Sequence, residues 1–281
     1  MGAHAVPVDI QSSVPGASRR TCRDAPESGC RPQTDEYHHQ GGAEPRNGTI
    51  SRHMIRVFIG YDDREAIAYH VLAHSIQRLA SEPVAIAPLR LTQLKRILTR
   101  ERHPLQSTDF SFSRFLTPCL SDYAGWSIFM DCDMLMVDDI TALWDLRDER
   151  YAVMVVKHHH VPKETVKHLN EPQSKYEKKN WSSVMLFNND RCRVLTPDYV
   201  NTASGLELHQ FKWLPSDDLI GSLPARWNHL VGYDPPRSDP ALLHYTSGGP
   251  WWIEYRDCEY AEDWRRELKK AEHVEQRRNP S

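Results

Sequence analysis

Two aspartates one residue apart interrupt an apolar run in "SIFMDCDMLMVDDI", Ser127 to Ile140. Ile128, Phe129 and Met130 read as the end of a buried strand, and Met134 to Val137 as more core. An unpaired charge between such segments is costly. Residues two apart on an extended chain project to the same side, so Asp131 and Asp133 are predicted to converge at or just beyond a strand end. A divalent cation there offsets their repulsion, and hard oxygen ligands suit Mn²⁺ or Mg²⁺. The same residue types also serve as solvated acids in a turn.

Four other stretches carry chemistry-bearing residues. Gly60, Tyr61, Asp62 and Asp63 come after an apolar strand in "GYDDREA". Ligands of open α/β sheets bind outside the carboxyl ends of strands, where Asp62 and Asp63 could accept hydrogen bonds from a base or ribose. Asp63 is equally well placed to cap the next helix. Arg114, in "SRF", suits two roles near paired carboxylates: orienting one of them or clamping a phosphate. A place on an open helix surface is its alternative. Ser216, Asp217 and Asp218 form an acidic run of the kind found at helix starts. His244 ends an apolar segment, with Gly248, Gly249, Trp251 and Trp252 soon after it. Imidazole ligates metals such as manganese, and glycine N–H groups can cradle a phosphate. In Lys157-His158-His159-His160 neighbouring histidines do not converge on one ion, so the tract reads as a loop.

These residues need elements to hold them. Ile55 to Ile59 reads as a core strand, and apolar residues at three-to-four spacing from Glu65 to Leu79 as an amphipathic helix. "VAIAPLRL", "YAVMVV" and "SSVMLFNN" are strand candidates, and "SFSRFLTPCLSDYAG" reads as a helix leading into the strand at 127–130. "DDLIGSLPARW" starts as a short helix, and Ala241 to His244 is a short apolar segment. Strands alternating with helices imply an α/β fold, a sheet covered on both faces. The C-terminal stretch from Cys258 is predicted helical, with Tyr260, Trp264 and Leu268 on one face. That face packs on the domain, or its basic end rests on an anionic membrane surface.

Residues 1–53 differ in character from the rest of the chain. They are rich in Pro, Gly, Ser, Arg and His, and such a segment cannot bury enough apolar surface to order itself. The expected organisation is a disordered extension over 1–53, with Met54 as a candidate natural start, and a single domain over 54–281. The 281 residues carry a formal charge of −3, which gives no basic field for nucleic acid. No apolar run reaches the roughly 18 residues of a membrane span. The six cysteines show no C-x-x-C spacing. With no apolar signal segment at the start, a reducing cytoplasmic setting is expected, with contact to the inner membrane face as an option.

In order along the chain, "VFIGYDDRE", "FSRF", "IFMDCDMLMVDDITALWDL", "WSSVMLFNN", "SDD" and "HYTSGGPW" resemble the motifs of family 8 glycosyltransferases, retaining enzymes of the GT-A fold. The resemblance covers about Ile55 to Trp252. It implies a Rossmann-like mixed sheet flanked by helices and a nucleotide-sugar donor, a UDP-sugar by expectation. It further implies a glycan or lipid-linked acceptor. Asp131 and Asp133 would hold Mn²⁺ or Mg²⁺ on the diphosphate, and His244 would complete the shell. Tyr61 and Asp62 would contact the nucleobase region, while Gly60, Arg114, Gly248 and Gly249 would contact the rest of the donor. Asp217 and Asp218 would sit beside the donor sugar as the catalytic pair. The chain departs from the pattern at Trp181, where asparagine is usual, and at Gly249, where a lysine holds the leaving diphosphate. Arg226 or Arg237 would then supply that charge. Two rival readings remain: a haloacid-dehalogenase-like phosphatase, and a GT-A relic that binds nucleotide without turnover. The first places its D-x-D after the first strand of the domain and prefers Thr or Val where Leu135 stands.

Overall fold

The computed structural model describes residues 54–102, 106, 108–158 and 178–272. The expected extension over 1–53 lies outside them, as do His159 and His160. The chain opens with β1 (Ile55–Gly60), α1 (Ala66–Leu79), β2 (Val84–Leu89) and α2 (Leu91–Leu94). It continues with α3 (Thr117–Leu120), β3 (Trp126–Met130), β4 (Met134–Met136), α4 (Ile140–Trp144) and β5 (Val153–Val155). After β6 (Val184–Asn188) come α5 (Pro197–Thr202), α6 (Gly205–His209), β7 (Ile220–Ser222), β8 (His229–Leu230), β9 (Leu242–His244) and α7 (Ala261–Ala271).

Six strands form one mixed sheet in the order β2-β1-β3-β6-β5-β7. β1 runs parallel to β2 and β3, whereas β6 runs antiparallel to β3 and β5. Every residue of β3, β5 and β6 is buried, as near-continuous apolar runs covered on both faces require. A second sheet of three strands, β4-β9-β8, grows from the first. The chain leaves β3 at Met130 and enters β4 at Met134, so Asp131, Cys132 and Asp133 are the link between the sheets. Cys132 is fully buried, and the aspartates on either side of it point the other way, as the two-residue period demands. In the second sheet Met134 pairs with His244, and Tyr245 N donates to Asp133 O at 2.9 Å.

α1 buries Ala68, Val71, Leu72, Ser75 and Ile76, the three-to-four spacing seen in its sequence. Ser75 Oγ accepts from Met136 N at 3.1 Å, which docks the helix on β4. α7 packs Trp264 into the same small core as Val71 and Leu135, with Tyr260 and Leu268 alongside. Its apolar face is thus spent on the protein. Among the described residues no helix is long and apolar enough to cross a membrane.

Three expectations need correction. The helix expected over 111–125 is a 3-10 turn at Ser113–Leu116 joined to the single turn of α3. Asp122 and Tyr123 adopt positive φ and cannot continue a helix. The helix expected from Asp217 is one 3-10 turn, Asp217–Leu219, that runs into β7. The C-terminal helix starts at Ala261, because Tyr260 has φ of 58°.

Candidate functional site

Ligand atoms of Asp131, Asp133 and His244 all lie within 4.8 Å of one another. The inter-sheet link supplies the two carboxylates, and β9 brings the imidazole against them. His244 Nε2 is 3.4 Å from Asp133 Oδ1. Behind the ring, His244 Nδ1 is 2.9 Å from Asn228 Oδ1. Asn228 is fully buried, and its orientation is fixed from the other side. Its Nδ2 donates to Ser183 Oγ at 2.8 Å and to the Asn180 carbonyl at 3.3 Å. A carbonyl only accepts, so the nitrogen must face it and Oδ1 must face the histidine. His244 therefore carries a proton on Nδ1, and in the neutral ring, the form that ligates a metal, Nε2 presents its lone pair to the aspartates.

Arg114 sits on the opposite wall, buried. Its Nη1 donates to Ser182 O at 2.8 Å and its Nε to Phe110 O at 3.3 Å. The same Nη1 lies 2.9 Å from Asp131 Oδ1, an ion pair without hydrogen-bond alignment. The buried Oδ1 atoms of both aspartates accordingly have no hydrogen-bond partner. Burial pushes the Asp131 carboxyl up to about 7; Arg114 opposes this and Asp133 adds to it. Burial pulls the His244 imidazole down, but the negative charge of Asp133 and Asp131 outweighs it and leaves the group raised. Two carboxylate oxygens that accept no hydrogen bond and one imidazole nitrogen suit a divalent ion such as Mn²⁺. The donor set fits the expected metal.

A cleft of about 240 Å³ opens on this cluster, and Lys179, Ser182, His209 and Thr246 also line it. None of these four was singled out in the sequence, nor was Asn228. The burial of His209 and the neighbouring Arg114 charge hold it down to about 3, so it is neutral. Its Nδ1 lies 2.8 Å from Ser182 Oγ.

The remaining candidates take other places. Ile59 pairs with Met130, so Gly60 and Asp131 leave the sheet at the same edge. A Cβ on Gly60 would meet the Phe110 ring at 2.4 Å, so the glycine lets that ring close over β1. Tyr61 packs edge-on against Tyr69, with Arg90 over its ring. Asp62, not Asp63, caps the turn before α1. It accepts from Arg64 N at 3.0 Å and from Arg64 Nη2 at 2.6 Å. It is buried, and burial raises its carboxyl, but the Arg64 and Asp109 hydrogen bonds win and hold it below its usual range. Gly248 lines a second cleft with Asp133, Glu65, Trp252 and Tyr255. Asp217 and Asp218 do not line the Asp131 cleft. Asp217 Oδ1 accepts from Lys178 Nζ at 2.6 Å, and Asp218 is held by Ser216 Oγ at 2.9 Å. Arg226 and Arg237 also lie elsewhere, paired with Asp138 at 2.6 Å and Asp239 at 2.8 Å. Trp181, the departure noted in the sequence, lies with its indole near the Lys157 and Lys178 ammonium groups. Its Nε1 donates to His158 O at 3.0 Å.

Residues 57–204 match glycosyl transferase family 8. That span includes Asp131 and Asp133 and ends before Asp217 and His244. Over 232 residues the chain is 46% identical to Protein CDI of Arabidopsis thaliana, covering 79% of this chain and 89% of that one. Solved structures that share its fold include two glycosyltransferases. The galactosyltransferase LgtC, bound to donor and acceptor sugar analogues, has a TM-score of 0.51 and 14% identity, covering 78% of this chain and 97% of that chain. The bifunctional glycosyltransferase WbbM has a TM-score of 0.50 and 17% identity; the match covers 76% of this chain but only 49% of that longer one.

Proposed function

The chain belongs to glycosyl transferase family 8 and is a glycosyltransferase of the GT-A fold, and we propose that it transfers a sugar from a UDP-sugar to a hydroxyl of a glycan or lipid-linked acceptor, with retention of configuration. The observation that carries this reading is the gathering of Asp131, Asp133 and His244, with a buried carboxylate oxygen on each aspartate that accepts no hydrogen bond. In the transfer, the bond between the anomeric carbon and the phosphate oxygen breaks, and its electron pair leaves on that oxygen. A bond forms from the acceptor oxygen to the anomeric carbon, and the acceptor proton passes to the departing phosphate oxygen. A bound Mn²⁺ or Mg²⁺ would supply Lewis-acid stabilisation of the departing diphosphate. Asp131, Asp133 and His244 would hold it.

The chain's other residues orient these three. Arg114 fixes Asp131 and keeps the wall beside it rigid. Asn228 fixes the tautomer of His244. The nucleotide would lie along the edge where Gly60, Tyr61 and Asp62 leave β1, next to Gly248. No step is assigned to Asp217 or Asp218, which pair with Lys178 and Ser216 and do not line this cleft. Family membership sets the phosphatase alternative aside. The relic alternative is tested by turnover: calorimetry with UDP and Mn²⁺, then sugar release from UDP-glucose and UDP-galactose. Metal-dependent UDP binding with sugar loss supports the proposal. Binding without any sugar loss across a panel of UDP- and GDP-sugars would leave a nucleotide-binding relic.

A further inference from the structure

Building on that reading, we propose that Lys179 is the side chain that meets the diphosphate leaving group. A departing diphosphate gathers negative charge and needs a cation placed beforehand. The cations expected from the sequence do not reach the site, since Arg226 and Arg237 are paired with Asp138 and Asp239. Nor is there room for one at Gly249, where an added Cβ would stand 2.0 Å from the Trp251 ring. Arg114 does line the cleft, but its Nη1 and Nε are engaged with Ser182 O, Phe110 O and Asp131. Lys179 lines the same cleft as Asp131, Asp133 and His244, and among the described residues it has no ion-pair or hydrogen-bond partner.

The turn that carries Lys179 is built and not slack. Lys178 and Asn180, on either side of it, both adopt φ of 63°. Non-glycine residues in that region are uncommon and persist when the surroundings hold them. Here they are held. Lys178 Nζ donates to Gln210 O at 2.9 Å and to Asp217 at 2.6 Å. The Asn180 carbonyl accepts from Ser183 Oγ at 2.7 Å and from Asn228 at 3.3 Å. The lysine between these two anchors is left for the cleft. Through Asn228 the turn shares a support with His244, so the backbone that carries Lys179 and one metal ligand are held by the same network.

The test compares wild type, Lys179→Ala and Lys179→Arg by calorimetry with Mn²⁺ and UDP, uridine and UDP-glucuronic acid. The expected result is a loss of tenfold or more in UDP affinity for the alanine variant, most of it recovered by arginine, with uridine binding and melting temperature unchanged. UDP affinity unchanged in Lys179→Ala overturns the assignment while leaving the donor reading intact. A loss confined to UDP-glucuronic acid overturns it in favour of a contact to the sugar carboxylate. An equal loss for uridine shows a structural role and also overturns it. No UDP binding by the wild type overturns this proposal together with the donor reading.

Discussion

Asn228 Oδ1 accepts from His244 Nδ1 at 2.9 Å, and the same amide donates to Ser183 and Asn180 behind it. This contact sets which imidazole nitrogen faces Asp131 and Asp133. Removing such a partner from a metal-ligating histidine typically costs about 10–100-fold in metal affinity. Asn228→Ala should weaken Mn²⁺ binding by about that factor, and Asn228→Asp, which keeps the acceptor, should lose less. Calorimetry with Mn²⁺ alone measures this. Wild-type affinity in the alanine variant would remove Asn228 from the site's support.

Asp131→Asn should move metal binding and stability in opposite directions. Burial raises the Asp131 carboxyl to about 7, with Arg114 opposing and Asp133 adding. A carboxyl raised on folding binds its proton more tightly in the folded chain than in the unfolded one. Its ionisation therefore costs stability as pH rises from the ordinary carboxylate range toward 7, and the cost stays in full above that. At pH 8 in EDTA the asparagine variant should melt at or above the wild-type temperature, while Mn²⁺-dependent UDP binding disappears. A clearly lower melting temperature would show that the charge is needed to hold Arg114.

Much of this was legible from local pattern. The apolar runs around Asp131 and Asp133 marked a strand end, and the three-to-four spacing of Ala68, Val71, Leu72 and Ile76 marked α1. His244 stood out because an apolar run ended on it. What was not legible came from tertiary contacts. Asn228 lies in "RWNHL" with no periodic signal, and its role exists only because β8 and β9 are paired. Lys178 and Lys179 are alike by type, and only the folded turn pairs the first with Asp217 and sets the second at the cleft. Asp217 and Asp218 matched a motif by type, and in the fold they pair with Lys178 and Ser216 outside the Asp131 cleft. The helix expected over 111–125 failed on φ values at Asp122 and Tyr123 that side-chain pattern does not encode.

Glu267 should impose an acid limit on stability. The carboxylate is buried in the α1–α7 interface and accepts from Arg78 Nε at 2.8 Å, Arg78 Nη2 at 2.7 Å and His74 Nδ1 at 2.8 Å. Burial raises it, but the Arg78 and His74 hydrogen bonds prevail and hold it below the usual glutamate range. The contribution is present above the unfolded glutamate value, about 4.3, and is lost as pH falls through the lower folded value. Glu267→Gln should cost about 1–2 kcal/mol at pH 7, low in the range for charged hydrogen bonds because Arg78 and His74 stay partly exposed. The difference should shrink as pH falls below 4. Urea unfolding at pH 7 and pH 3.5 checks both parts, and a pH-independent difference would deny the charged state its role.

Restoring a lysine at position 249 should harm the protein instead of aiding it. A Cβ there would fall 2.0, 2.2 and 2.7 Å from ring atoms of Trp251. That indole is not free to swing away. It packs edge-on to Tyr245 at 5.8 Å and tilted against Trp264 at 5.3 Å, and Trp264 is buried on α7. Accommodating the clash means prising Trp251 from the small core that also fastens α7, and overpacking of this kind typically costs about 1–3 kcal/mol. Gly249→Ala isolates the steric part, because it adds the Cβ without a charge. Both variants should melt several degrees below wild type, and Gly249→Lys should not bind UDP more tightly than Gly249→Ala in Mn²⁺. Thermal unfolding and calorimetry on the pair separate packing from charge. If the lysine variant kept its melting temperature and bound UDP more tightly than wild type, the loop at 248–252 would have room for the family's lysine, and the missing charge would no longer need to come from across the cleft.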